Sequence, residues 1–407
     1  MPVRLLVLTP ELPYPPRGGA RLRNFYLIKH LAQEHEVHLL SFAQSEASQA
    51  EPGPLAEICA GLHVVPRPRC STTERLRWLT LSGQPDLAIR LYSPVFAARL
   101  DEMLNTHAFD AVQVEGLEMA PYYLRRQPGK TPPVLLDEHN AEYVLQRRAF
   151  AVDAGAPARW KGAAYSLVQW RRLVAYERRA CRRARLVIAV SERDRQALLA
   201  LDTRLSVDVV ANGLDCAHYA FRAQQPLGNP PSLLFTGVMD FRPNVDAMLW
   251  FCREVLPLLR QRMPEVRLII AGRGPAPMVR ALAEPGVTVT GEVDDDLPYF
   301  AQAAAYIVPL RMGGGTRFKV LQAMASGVPV VSTACGAEGI AARDGEHLLL
   351  ADTAEAFAGQ IARLLKEPAL GERLRQAGRH LVERDYDWRV IAPKLLAIYG
   401  RWQAEAP

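Results

Sequence analysis

The sequence predicts an α/β fold of two Rossmann-like, doubly wound domains facing each other across a cleft. Three observations lead to it. At 407 residues the chain exceeds what one ordinary core organises, which suggests two domains of about 200 residues each. Short apolar runs alternate with helix-like stretches, the pattern of a parallel sheet covered on both sides. The alternation lapses once, over 214–230 (LDCAHYAFRAQQPLGNP), where proline, glycine and glutamine replace periodicity, and then restarts. The expected organisation is a first domain over 1–213, a linker over 214–230 and a second domain over 231–385. A terminal helix over 386–407 is expected to pack back toward the first domain.

The elements follow in order. VRLLVLT (3–9) is a continuous apolar run, as suits a strand buried on both faces. The loop PELPYPPRGG, a helix from Ala20 to Gln33 and the strand EVHLLSF (36–42) come next. Further strands are expected at 62–66, 110–115, 133–138, 185–190 and 207–213. Ser191 is placed to cap a helix, with Asp194 at the capping-box position. The second half repeats the scheme with strands at 232–237, 266–272, 287–291, 304–310 and 328–333. Its first helix carries Val245, Met248, Leu249, Cys252, Val255, Leu256 and Leu259 at three–four spacing, a core-facing stripe rather than a cofactor site. From Thr353 onward the chain reads as helical.

Composition narrows the possibilities. Hydrophobic residues make up 49% and charged residues 23%, ordinary for a globular protein. No run of eighteen apolar residues occurs, so no membrane-spanning helix is expected, and the N-terminal run leads into a proline-rich turn instead of a cleavage site. The six cysteines are scattered, without CxxC pairs or zinc spacing, and are expected to be reduced thiols in a cytoplasmic protein with no bound metal. The net charge of +6 is modest, but its distribution is uneven. Ten arginines and Lys161 lie between Arg147 and Arg185 against only Asp153 and Glu177. Such a block suits a solvated helix face, a nucleic-acid patch or a surface meeting anionic lipid.

Candidate ligand contacts gather after strands, because open α/β sheets bind beyond the carboxyl ends of their strands. RMGGGTRFKVLQ places Gly313, Gly314 and Gly315 between a strand and a helix that opens with Thr316, Arg317 and Lys319. Glycines let backbone amides approach an anion, the helix start favours negative charge, and the two cations add to it. The pattern lacks the glycine–lysine–serine/threonine end of a Walker loop, and the loop after the first strand has no GxGxxG, which argues against a dehydrogenase. The acids 294–296 precede a helix, with Asp294 as its expected cap, and need no metal to account for them. Gly18 and Gly19 form a second glycine turn before a helix. His139, flanked by Glu138 and Asn140, and Glu115 follow strand ends in the first domain. For each, a structural part in packing or capping stands beside the functional one.

These motifs resemble the family-four glycosyltransferases of the GT-B fold over essentially the whole chain. The carriers are RGGARLRNFYLIKHLA, AVSERDR and VVANGLD in the first half. FTGVMDFRPNVDAMLWF, LIIAGRGP, VTGEVDDDLPYFAQAAAYIVPL, GGGTRFKVLQAMASGVPVVST and AEGI (337–340) follow in the second. Within that family the sequence resembles the bacterial branch of exopolysaccharide- and exosortase-associated sugar transferases. The resemblance implies retaining, metal-independent transfer of a sugar from a nucleotide-sugar co-substrate, with no cofactor, to a glycan, lipid-linked or small-molecule acceptor. It implies Arg317 and Lys319 on the diphosphate and His139 at the sugar. Gly18, Gly19, Gly237, Arg242, Gly272, Arg273, Val293, Gly313, Gly314, Gly315, Thr316 and Gln322 would contact the donor, and Glu115, Glu138 and Asn140 the acceptor side. Two positions depart from the family: Gly314 and Gln322 stand where a pair of glutamates is common. Glutamine can still exchange hydrogen bonds with ribose hydroxyls, without a carboxylate's charge. The basic 147–185 segment would meet an anionic membrane surface, and no nucleic-acid partner is implied. A nucleotide-sugar epimerase of the same fold and a non-catalytic nucleotide-binding relative stand as alternatives.

Overall fold

The structure, a computed structural model, describes residues 2–16, 18–44, 51–69, 71, 78, 82–127, 129–155, 160–221, 230–313 and 317–404. The chain divides into two compact units. One joins Met1–Ala211 to Ala392–Pro407, and the other is Asn212–Ile391. The segment read as a linker begins inside the second unit: Leu214 bridges Asp387, and its N–H donates to the Tyr386 carbonyl at 2.7 Å. Residues 222–229 lie outside the described residues.

The first unit holds a seven-stranded sheet in the order β3-β2-β1-β4-β5-β6-β7. The strands are β1 (Arg4–Thr9), β2 (Glu36–Phe42), β3 (Gly61–Val65), β4 (Ala111–Glu115), β5 (Val134–Glu138), β6 (Leu186–Ala189) and β7 (Val207–Val209). Every pairing is parallel. The strand order reverses between β1 and β4, the place where a doubly wound sheet opens a crevice at its carboxyl edge. One face carries an aromatic knot in which the Phe96 ring packs, tilted, against Phe42 at 4.5 Å and Tyr122 at 4.4 Å, centroid to centroid. Truncating Phe96 to alanine is expected to cost about 3–5 kcal/mol, readable as a lower denaturation midpoint.

Three helices position the candidate residues of this unit: α1 (Gly19–Leu31), α2 (Glu142–Ala154) and α3 (Trp160–Arg183). Gly18 precedes α1 at φ 96, a conformation that side-chain-bearing residues rarely adopt. Helix α2 has no side-chain cap of its own at Ala141. Instead the buried Glu177 of α3 accepts from the Glu142 and Tyr143 N–H groups at 3.0 and 2.8 Å, so one helix caps another and fixes the hairpin angle. The Ser191 cap forms as expected, accepting from the Asp194 N–H.

The second unit holds six parallel strands in the order β10-β9-β8-β11-β12-β13. They are β8 (Ser232–Thr236), β9 (Arg267–Ala271), β10 (Val287–Gly291), β11 (Ala305–Val308), β12 (Val330–Ser332) and β13 (Leu349–Leu350). Helices α4 (Phe318–Ala325) and α5 (Pro368–Asp385) pack within this unit. The long first helix departs from the expected stripe. It runs Arg242–Trp250, widens to a π turn over Phe251–Val255 and continues as Leu256–Arg262. Pro257 explains the widening, since it lacks an N–H and would crowd the Arg253 carbonyl in a regular α-helix. The extra residue rotates the inward face, so Trp250 and Phe251 are buried while Leu249 and Cys252 are only half-buried. The helix over Leu297–Gln302 also corrects an expectation. Its N-cap is Asp296, and Asp295 rather than Asp294 takes a backbone N–H, that of Leu297 at 2.9 Å.

Candidate functional site

In the second unit the carboxyl ends of β8, β9 and β10 are drawn together by glycines. The Gly237 N–H donates to the Ala271 carbonyl (3.1 Å) and the Gly272 N–H to the Gly291 carbonyl (2.9 Å). A Cβ on Gly272 would stand 1.7 Å from the Gly237 oxygen, so no other residue fits. A Cβ on Gly237 would meet Asn244 Nδ2 at 2.8 Å and Lys319 Nζ at 3.0 Å, so this glycine leaves room for the lysine head group.

Lys319 lies in the first turn of α4. Its ammonium donates to Asn244 Oδ1 at 3.0 Å and sits 4.1 Å from the centroid of the Phe235 ring. Asn244 is held in turn by donating to the Val238 carbonyl at 2.9 Å. Burial, followed by the neighbouring charge of Arg317, lowers the Lys319 pKa to about 7. No carboxylate bonds to the ammonium among the described residues. Arg317 is the N-cap of α4; its Nη2 donates to the Cys335 carbonyl at 3.4 Å and would lie 3.0 Å from a Cβ on Gly313, which has φ 118. One turn further along α4, Gln322 donates through Nε2 to the Tyr219 hydroxyl at 2.7 Å.

Thus the structure brings Gly237, Lys319 and Asn244 together, with Arg317 and Gly313 beside one another at the entrance to α4. Arg242 is exposed at the start of the helix that supplies Asn244, and Arg273 is exposed directly after Gly272. Val293 is half-buried after β10. Gly314, Gly315 and Thr316 lie outside the described residues.

The first unit gathers a second constellation at the carboxyl ends of β4 and β5. Glu115 and Asp137 are cross-strand partners in the sheet register, which is why two carboxylates 22 positions apart become neighbours. Arg23 of α1 forks onto Asp137, Nε at 3.0 Å and Nη2 at 2.8 Å, and its Nη1 donates to the Val210 carbonyl at 3.0 Å. The side chains of this ion pair are 1% and 0% exposed. His139 Nε2 donates to Glu115 Oε2 at 3.1 Å. Asn24, with its amide nitrogen turned inward, reaches the same oxygen at 2.9 Å, while Gln113 donates to the other.

Burial pushes the Glu115 carboxyl upward, the charge of Asp137 adds to this, and the His139 hydrogen bond opposes it. Burial also pulls the His139 imidazole downward. The Glu115 bond and the charges of Asp137 and Glu115 outweigh it, so the imidazole ends above its ordinary value. Glu115, Asp137 and His139 have ligand atoms within 4.8 Å of one another. Their oxygens already accept from Arg23, Asn24, Gln113 and His139, so a cation would have to displace formed hydrogen bonds.

Two acceptor-side candidates do not join this cluster. Glu138 follows Asp137 in the strand and therefore points to the opposite face, buried with the Cys181 thiol 3.8 Å away. Asn140 donates to Glu142 at 3.4 Å. Sequence reasoning missed Arg23, Asn24, Asp137 and Asn244. Arg23 lies in the second turn of α1, and nothing in the local pattern marks it, because its partner is 114 residues away.

Two parallel-sheet Rossmann-like units with polar groups at their carboxyl edges define a protein of the GT-B class. The profile described as "Glycosyltransferase Family 4" matches residues 17–218, and the one described as "Glycosyl transferases group 1" matches residues 230–367. The chain belongs to this GT-B glycosyltransferase superfamily. It is 32% identical to the phosphatidyl-myo-inositol mannosyltransferase of Mycobacterium tuberculosis over 204 residues, 47% of this chain and 53% of that protein. The chain thus spans about half the length of that curated relative. Among solved structures it resembles a sucrose-phosphate synthase from Thermosynechococcus elongatus (TM-score 0.74, 17% identity, 99% of this chain and 100% of that one). It also resembles Anabaena HepE in complex with UDP and glucose (TM-score 0.66, 15% identity, 98% and 100%).

Proposed function

We propose that the protein is a glycosyltransferase moving a sugar from a nucleotide-sugar donor to a glycan or lipid-linked acceptor, with retention and without a metal. The observation that carries this reading is the Lys319 ammonium at the start of α4, desolvated beside Gly237 and, among the described residues, bonded to the neutral amide of Asn244. Such a group has most to gain from an anion, and a nucleoside diphosphate supplies one. As the glycosidic bond breaks, negative charge grows on the departing diphosphate. Lys319, Arg317, Arg242 and the amides after β11 stabilise it, the role a divalent cation plays elsewhere. Gln322 contacts the ribose, and the backbone around Gly272, Arg273 and Val293 borders the base.

In the first unit, Gly18 and Gly19 present backbone amides, and His139, oriented by Glu115, is assigned to a sugar hydroxyl. In retaining chemistry the acceptor attacks on the leaving-group side, so the departing phosphate oxygen can take its proton. No protein base is then required. The mannosyltransferase it resembles and the solved neighbour holding UDP and glucose support an NDP-hexose donor; the bacterial exopolysaccharide setting rests on the sequence resemblance alone. A thermal-shift panel of UDP, GDP, ADP and dTDP, then their sugars, is expected to show stabilisation by one base with or without EDTA. No shift with any of them removes the reading, and an epimerised donor in the absence of acceptor assigns the protein to the epimerases.

A specific surface favours a lipid-linked acceptor. On one face of α3, Trp160, Tyr165 and Val168 are 65%, 41% and 42% exposed, and the exposed Lys161, Arg171, Arg179 and Arg182 extend that face. Aromatics beside cations suit the interface of an anionic bilayer. No helix among the described residues is long and apolar enough to cross a membrane, so contact would be peripheral. The protein is expected to float with vesicles containing anionic phospholipid, less so at high salt, and not with neutral ones. Trp160→Ser with Tyr165→Ser should abolish flotation; flotation unchanged in that variant removes this surface from consideration.

A further inference from the structure

Asn244 sits in the first turn of the helix Arg242–Trp250 and is only 6% exposed. Its amide stands between two groups that leave it one orientation. Nδ2 donates to the Val238 carbonyl at 2.9 Å, and a carbonyl oxygen can only accept. Oδ1 therefore faces Lys319 Nζ, which it meets at 3.0 Å. An aspartate at this position would set an oxygen against the Val238 oxygen, so the loop itself calls for an amide. The same helix does carry a carboxylate nearby, and gives it to a different cation. Asp246 accepts from Arg311 Nε at 3.0 Å and from Nη2 at 2.8 Å. That arginine is neutralised, whereas among the described residues Lys319 meets an amide oxygen and, 4.1 Å away, the Phe235 ring. The charge whose field reaches the ammonium is that of Arg317, which opposes it instead of neutralising it.

We propose that Asn244 is the positioning residue of the anion site. It holds the Lys319 ammonium beside Gly237 through a neutral oxygen, so the charge is fixed in place yet left for the diphosphate of the donor. This rests on the reading of Lys319 as the partner of that diphosphate. A carboxylate in the same place would hold the lysine as firmly and compete with the ligand for it.

The test measures binding of UDP-glucose, GDP-mannose and ADP-glucose by calorimetry from about pH 6 to about pH 10, and follows the tightest of them in the variants. Wild-type affinity should be flat below about pH 7 and decline above it. Asn244→Asp gives the ammonium a carboxylate that keeps it protonated in the empty protein. Binding should then be about tenfold weaker near the acidic end, and the decline should begin roughly one to three pH units higher. Asn244→Leu fills the same space without an acceptor, so the decline should begin about one pH unit lower. A shift by either variant in its stated direction, lost when the variant is combined with Lys319→Met, supports the positioning role. If Asn244 serves folding alone, both variants lower the melting temperature and leave the onset where it was, and that result overturns the inference. A shift that persists beside Lys319→Met belongs to another group and overturns it as well. Lys319→Met binding as tightly as wild type rejects the diphosphate reading itself, because the ammonium then has no anion to hold.

Discussion

Lys319→Ala is expected to lower turnover by about 10²- to 10³-fold while the protein remains folded. That is the range seen when one preorganised donor to developing charge is removed from an active site. Among the described residues the ammonium has no carboxylate partner to fall back on, since its hydrogen bond is to the neutral amide of Asn244. Steady-state rates with the nucleotide-sugar identified by thermal shift provide the measurement, and unchanged turnover rejects the assignment.

The same lysine predicts a pH dependence. With its pKa lowered to about 7, the empty protein carries a partly neutral Lys319 near neutrality. A bound diphosphate favours the charged form, so binding draws in a proton. Affinity for a nucleotide-sugar, whose phosphates do not titrate in this range, should therefore be flat below about pH 7 and weaken above it, by at most tenfold per pH unit. Lys319→Arg should remove that slope. For the empty protein the sign is opposite. The unfolded chain binds the proton more tightly than the folded one between the lowered value and the ordinary lysine range, so this group's contribution to stability rises with pH there. Lys319→Met should accordingly melt higher than wild type at neutral pH, a residue kept at some cost to the resting fold.

The second large effect belongs to the buried Arg23–Asp137 pair. Asp137→Ala leaves a guanidinium without its carboxylate at a site 1% exposed, and a broken buried pair costs about 3–5 kcal/mol. In a unit of this size the loss should lower the melting transition by roughly 10 °C. Replacing both partners with apolar residues, Arg23→Met with Asp137→Leu, should recover most of that loss. A double variant as unstable as Asp137→Ala would show that the Val210 carbonyl contact carries the effect.

How much of this was legible in the sequence depended on the range of the signal. The central strands were readable because strands buried on both faces spell continuous apolar runs, as in β1 and β8. β13 was missed: two residues, Leu349 and Leu350, carry no period. The π turn defeated a count that assumes 3.6 residues per turn, although Pro257 marked the place. The glycine-to-helix entry before α4 was visible because its residues are contiguous. The first-unit cluster was visible only in part. Glu115 and His139 could be picked out at strand ends, but Asp137 could not be separated from Glu138, since a doubly buried strand does not announce which side chain faces which side. Arg23 meets its partner 114 residues away, a distance no local pattern encodes.

The first unit is assembled from two stretches of chain with the whole of Asn212–Ile391 between them. Its later stretch brings Tyr399, fully buried within the field of Glu115 and Asp137, and Arg401, which pairs with Asp208 at 3.0 Å. During synthesis on the ribosome, the intervening unit can therefore collapse as soon as it emerges, while the one begun earlier waits for its missing wall. Nascent chains halted before residue 392 should accordingly protect the later-made body from protease and leave the earlier-made one open to cleavage.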